Sequence, residues 1–156
     1  MKPYLPKLVA GVVLAAMAVP TGWALELAIQ NSQELSFGSF VAGVGGSVTV
    51  ATSGARSASG GVLLIPSSAG AAAQFTVTGD ANATYTIQLP ANDFVKLTGP
   101  GGDMVINEFT GNPSGAAGQL SAGGSQALLV GGTLNVASGQ VAGQYSGSFS
   151  VTVDYN

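Results

Sequence analysis

The segment GQYSGSFSVTVDYN, Gly143 to Asn156, decides the fold. Tyr145, Phe149, Val151, Val153 and Tyr155 fall on one side of it, and Ser146, Ser148, Ser150, Thr152 and Asp154 on the other. Strand side chains alternate with a period of two, so the segment is expected to be a strand with one buried face. Its length and apolar pattern raise a question about the free edge, because unpaired N–H and C=O groups along an apolar strand invite another strand to pair.

Working back from this strand, the same alternation recurs at short intervals. Ala73–Gly79 (AQFTVTG) and Ala83–Leu89 (ATYTIQL) flank Asp80-Ala81-Asn82, residues suited to a hairpin tip. Phe94–Thr98 and Met104–Phe109 flank the turn GPGGD. Ser47–Ala51 and Gly61–Ile65 are short strands, Leu35–Val41 precedes the turn Gly43-Val44-Gly45-Gly46, and Ala55–Ser59 fits neither pattern cleanly. A glycine-rich loop is expected after Phe109, and Gln126–Val136 reads as strand interrupted at Gly131-Gly132. About ten such segments with Gly and Pro between them, and no helical period in the body of the chain, predict an all-β antiparallel sandwich of immunoglobulin-like kind.

The first residues read differently. Lys2 and Lys7 accompany the apolar run Leu8–Val19, followed by the small-residue site Gly22-Trp23-Ala24. That order is the pattern of a secretory signal peptide, and the run falls short of the roughly 20 residues that span a bilayer. Cleavage is expected after Ala24, with secretion through a periplasm and no stable membrane insertion. The chain then divides into a leader (1–24), an N-terminal segment (25–33) and a sandwich domain (34–156).

From Leu25 onward, Arg56 and Lys96 face seven acidic residues, a net charge of −5. So few cations cannot neutralise several phosphates, which argues against nucleic acid. Only 7% of the chain is charged, against roughly a quarter in ordinary domains, and such a surface is weakly protected against self-association. Cysteine and histidine are absent, removing the thiolate nucleophile, the commonest general base and most transition-metal ligands. Asp103 and Glu108 are expected on opposite sides of a strand, Lys96 has no marked serine partner, and Asp80 with Asn82 is too small a set for calcium. Asn82-Ala83-Thr84 is a formal glycosylation sequon at a turn that favours Asn anyway. No enzyme, cofactor or metal is expected.

The C-terminal segment resembles that of chaperone–usher pilins, which end in a strand with a penultimate tyrosine and a glycine fourteenth from the end. Tyr155 is penultimate and Gly143 is fourteenth counting back from Asn156. More broadly, FGSFVAGVGGSVTV, FTVTGDANATYTIQLP, LLVGGTLNV and GQYSGSFSVTVDYN resemble an uncharacterised family of secreted bacterial β-sandwiches, itself similar to spore coat protein U and to pilins. The resemblance implies an incomplete sandwich filled by the N-terminal strand of another copy. Leu25, Leu27 and Ile29 would be the donor residues. Gly143, Tyr145, Phe149, Val151, Val153 and Tyr155 would form the acceptor strand and groove. It also implies a homopolymer at the cell surface, an adhesive filament or pilus, with a periplasmic chaperone and an outer-membrane usher as assembly partners. Two departures stand against the pilin pattern: there is no disulfide, and the donor segment is short. The alternative is that Leu25–Gln30 closes its own sandwich, giving a monomeric adhesin, coat protein or carbohydrate-binding module.

Overall fold

A computed structural model describes residues 25–156 in full and, of the preceding segment, the backbone of residues 5–14; the expected cleavage site after Ala24 lies outside the described residues. The strands, in order, are β1 (Leu5–Leu14), β2 (Ala28–Gln33), β3 (Phe40–Val41), β4 (Gly46–Val50), β5 (Arg56–Gly60), β6 (Leu63–Leu64), β7 (Ala73–Thr78), β8 (Thr84–Gln88), β9 (Val95–Leu97), β10 (Met104–Asn112), β11 (Ala117–Gln119), β12 (Ser125–Val136) and β13 (Gln144–Tyr155). There is no helix among the described residues. One sheet has the order β1-β13-β8-β11. The other has the order β2-β7-β12-β10-β9, with β4 on the far part of β12 and β5 on β4; β3 and β6 pair separately.

Period-two alternation explains why these segments are strands and which faces they bury. In β7, Ala73, Phe75 and Val77 are buried while Gln74, Thr76 and Thr78 are exposed. Phe149 of β13 meets Phe75 edge-on across the interior, with ring centroids 6.3 Å apart, and lies 5.2 Å from Phe109 of β10. The two sheets therefore pack face to face over one core, the antiparallel sandwich expected from the pattern.

Several elements differ from the sequence expectation. Leu35–Val41 is strand only at Phe40–Val41, although Leu35, Phe37 and Phe40 are all fully buried. Its backbone is turned by Gly38 (φ +67°); the Phe37 carbonyl is taken by Nη1 of Arg56 at 2.9 Å, and the Ser39 carbonyl is shared between that Nη1 at 2.8 Å and Ile65 N at 3.1 Å. The unassigned stretch around Arg56 is strand β5. β12 runs unbroken through Gly131-Gly132: a Cβ on Gly131 would stand 2.2 Å from the carbonyl oxygen of Val50, so glycine there permits close approach of the β4 end. The loop expected after Phe109 is partly ordered, as the end of β10 and as β11.

The expected β7–β8 hairpin does not form: β7 pairs with β2 and β12 in one sheet and β8 with β13 and β11 in the other, so the Asp80–Asn82 turn, with Asn82 in the left-handed region (φ 60°), carries the chain across the sandwich. Tyr85 of β8 is fully buried, its hydroxyl donating to the Gln126 side chain, and burial pushes its pKa up to about 12. A phenol with a raised folded-state pKa gives its full stabilisation below its unfolded pKa of about 10 and loses it as pH rises toward 12. By pH 11 about 1 kcal/mol is expected to be gone. Denaturant midpoints between pH 9 and 11 test this: Tyr85→Phe should remove that part of the slope.

Candidate strand-acceptor edge

β13 has two edges with different fates. On one, Val153 and Asp154 pair with Ile87 and Thr86 of β8, and Ser146 exchanges both backbone bonds with Thr98 just beyond β9, at 2.8 and 3.0 Å. Between these anchors no described strand pairs with Gly147–Ser150 on that side. The gap opens into a cleft of about 640 Å³ bounded by Gly147–Ser150 and by Pro90, Ala91 and Phe94–Lys96. Gly147 is required for the approach of β9, since a Cβ there would lie 2.2 Å from the carbonyl oxygen of Lys96.

Phe94, at the mouth of the cleft, is 81% exposed. The turn that carries it is held firmly. Asp93 N donates to Asn107 Oδ1 at 2.7 Å, Asn107 Nδ2 donates back to Asp93 Oδ1 at 3.2 Å, and Glu108 N donates to Asn92 Oδ1 at 2.8 Å. The β10 bulge between Asn107 and Thr110 supplies these partners, with Glu108 itself at positive φ (52°). An exposed aromatic on a pinned turn is a preorganised contact.

The opposite, outer edge of β13 is where the unpaired strand was expected. Ten residues, Gln144–Val153, pair there in unbroken register with Leu5–Leu14. This ladder is parallel, whereas all the other ladders between described strands are antiparallel. Because Ser146 turns its N–H and C=O toward Thr98, the backbone groups of Gly147, Phe149, Val151 and Val153 point the other way, toward β1. The outer edge is therefore a long, regular row of donors and acceptors.

Of the predicted acceptor residues, Tyr145, Phe149, Val151 and Val153 are buried on the inner face of β13. Tyr145 anchors the strand's start: its hydroxyl donates to the Val141 carbonyl at 2.6 Å and accepts from Gly101 N and Gln140 Nε2, each at 3.1 Å. Gly143 packs against Pro100, where a Cβ would lie 2.4 Å from the ring. Tyr155 is half-buried and reaches the turn at Asp80.

The predicted donor residues are placed elsewhere. β2 pairs antiparallel with β7, so it belongs to the other sheet, not to the one containing β13. Leu27 and Ile29 are buried in the chain's own core, and Leu25 is 62% exposed. Residues 25–33, expected as a donor strand and linker set apart from the sandwich, form its edge strand here, because Ile29 sits in register with Val77 on the buried face of β7. Donor and acceptor thus separate into two edges that sequence alone had joined.

The polar residues weighed for chemistry remain scattered. Lys96 Nζ lies 4.0 Å from Asp103 Oδ2, both side chains about half exposed. No group of three or more acidic residues that would hold a metal occurs among the described residues. No described helix is long and apolar enough to cross a membrane.

Two sheets packed face to face over one core, antiparallel apart from the β1–β13 ladder, define a β-sandwich. The chain belongs to DUF4402, a domain of unknown function, whose family model matches residues 27–155, nearly the whole sandwich including β2. No curated protein and no solved structure matches the chain significantly.

Proposed function

We propose that this chain is a secreted structural subunit of a cell-surface filament, and that copies are joined by strand addition along the outer edge of β13. The observation that carries this is the ten-residue parallel ladder with the largely apolar segment Leu5–Leu14. Main-chain hydrogen bonds are indifferent to whether the added strand comes from the same chain or another. If residues 1–24 are a leader removed on export, the edge beside Phe149, Val151 and Val153 falls open in the mature subunit. The likeness of Gly143 and Tyr155 to the end of pilins, and of the whole pattern to spore coat protein U, supports the same reading. A helper's strand would cover the edge before assembly, as the pilin likeness implies.

The donor is the part most changed by the fold. For β2 to reach a neighbour's β13, Leu27 and Ile29 must leave their own core at roughly 1.5–3 kcal/mol each, and the exposed edge of β7 must be re-paired. N-terminal donation therefore takes the form of exchange between copies. The second reading, a closed monomeric adhesin or carbohydrate-binding module, is favoured by the placement of β2 in its own sheet.

Negative-stain electron microscopy of residues 25–156 tests the proposal, with a Ser148→Lys/Ser150→Lys chain beside it. Both serines are exposed, so the fold should survive while charge on the edge opposes pairing. Long fibres in the first and none in the second, with unchanged melting, is the expected result. Fibres in both would move the interface elsewhere. Dispersed particles in both, even with a donor peptide or helper added, would favour the closed monomer.

A further inference from the structure

Leu25, although exposed, is bonded at both of its backbone groups. Its N–H donates to Asp80 Oδ1 at 2.9 Å and its carbonyl accepts from the Tyr155 hydroxyl at 2.8 Å. The same hydroxyl accepts from Asp80 N at 2.9 Å, closing a ring among the start of the sandwich, the β7–β8 turn and the end of β13. The site is fitted around the tyrosine: Gly79 leaves the space that its hydroxyl fills, since a Cβ there would lie 2.2 Å from it.

We infer that Asp80 is the seat of a new N-terminal ammonium, created when the leader is removed, and that this ion pair latches β2 into its own sheet. The inference rests on the export reading above. Water adds across the Ala24–Leu25 peptide bond, leaving a carboxylate on Ala24 and, at neutral pH, an ammonium on Leu25. A neutral amide with one N–H becomes a cation with three, facing a carboxylate already within hydrogen-bond distance. The other two cations of residues 25–156 are engaged elsewhere, Arg56 on three carbonyls and Lys96 beside Asp103. Processing thus does two things at once: it vacates the outer edge of β13 and fastens the strand at the edge of the opposite sheet. The subunit is thereby biased toward offering β13 as an acceptor while keeping its own β2.

Because Leu25 is exposed, solvent screens the pair, and the expected effect on local opening of β2 is about two- to fivefold. Hydrogen exchange at Ala28–Gln33 reads it, in residues 25–156 with a free amine or an acetylated one, each carrying Asp80 or Asp80→Asn. Acetylation should speed exchange about two- to fivefold in the Asp80 chain and leave the Asp80→Asn chain unchanged. An equal effect of acetylation in both backgrounds, or none in either, overturns the latch and leaves the export reading intact. Mass spectrometry of the exported protein separates the two: an N-terminus other than Leu25 overturns the processing step itself, whatever the exchange rates show.

Discussion

Phe149→Ala is expected to destabilise the domain by about 3–5 kcal/mol, as loss of a buried aromatic ring does. Phe149 is 3% exposed, and its ring links the two sheets through Phe75 and Phe109. Truncation removes the area buried by the ring and both aromatic contacts, and leaves a void that rigid strand backbones cannot close. For a domain of this size the thermal midpoint should fall by roughly 10–15 °C. Phe149→Leu keeps most of the volume and should cost about 1–2 kcal/mol. Thermal melts of the two variants check both numbers. A small loss in Phe149→Ala would mean that the interior beneath β13 is loosely packed. Such an edge would also make a poor template for an added strand.

Arg56→Met should cost about 1–3 kcal/mol, through polar rather than apolar loss. The Arg56 guanidinium donates from Nη1 to the carbonyls of Phe37 and Ser39 and from Nη2 to that of Ile65 at 2.8 Å, and burial lowers its pKa. These bonds supplement the sparse pairing of Leu35–Ser39, where Ser36 bridges Ala71 and the Ser39 carbonyl accepts from Ile65 N. Gly38 makes the geometry possible: a Cβ there would fall 2.6 Å from Nη1. Methionine keeps the methylene stem but takes the charged donor from the Phe37 carbonyl and leaves those of Ser39 and Ile65 with their backbone bonds from Ile65 N and Ser68 N, each at 3.1 Å. Arg56→Lys should recover only part of the loss, because one ammonium cannot reproduce the planar fork. Denaturant titration gives the energies, and faster hydrogen exchange confined to 35–41 and 61–65 would locate the damage. Equal stability of all three chains would mean that water satisfies these carbonyls as well as the guanidinium does.

The sandwich was legible because its strands bury one face, and a one-faced strand writes a period of two into the sequence. Ala73–Thr78 and Gln144–Tyr155 show that period, and Asp80–Asn82 announces a turn, though that turn crosses between the sheets where a hairpin was expected. Where backbone groups are satisfied by something other than a ladder, the period disappears. Leu35–Val41 looks like a strand because it is apolar, but Arg56, distant in sequence, takes its carbonyls. Gly131-Gly132 looks like a break because glycine usually interrupts strands, whereas here it marks the close passage of Val50.

The acceptor side followed the same division. Burial of Tyr145, Phe149, Val151 and Val153 could be read from alternation alone, since each faces inward for local reasons. Leu27 and Ile29 were equally recognisable as residues that must be buried. Alternation says that a strand has an apolar face but carries no information about which edge it joins. Only the tertiary structure decided that β2 lies on β7, that the outer edge of β13 faces Leu5–Leu14, and that Asp80, Tyr155 and Leu25 meet. Those pairings join residues as far apart as Leu5 and Gln144, 139 positions. They are fixed by the order in which the strands stack, which no local pattern encodes.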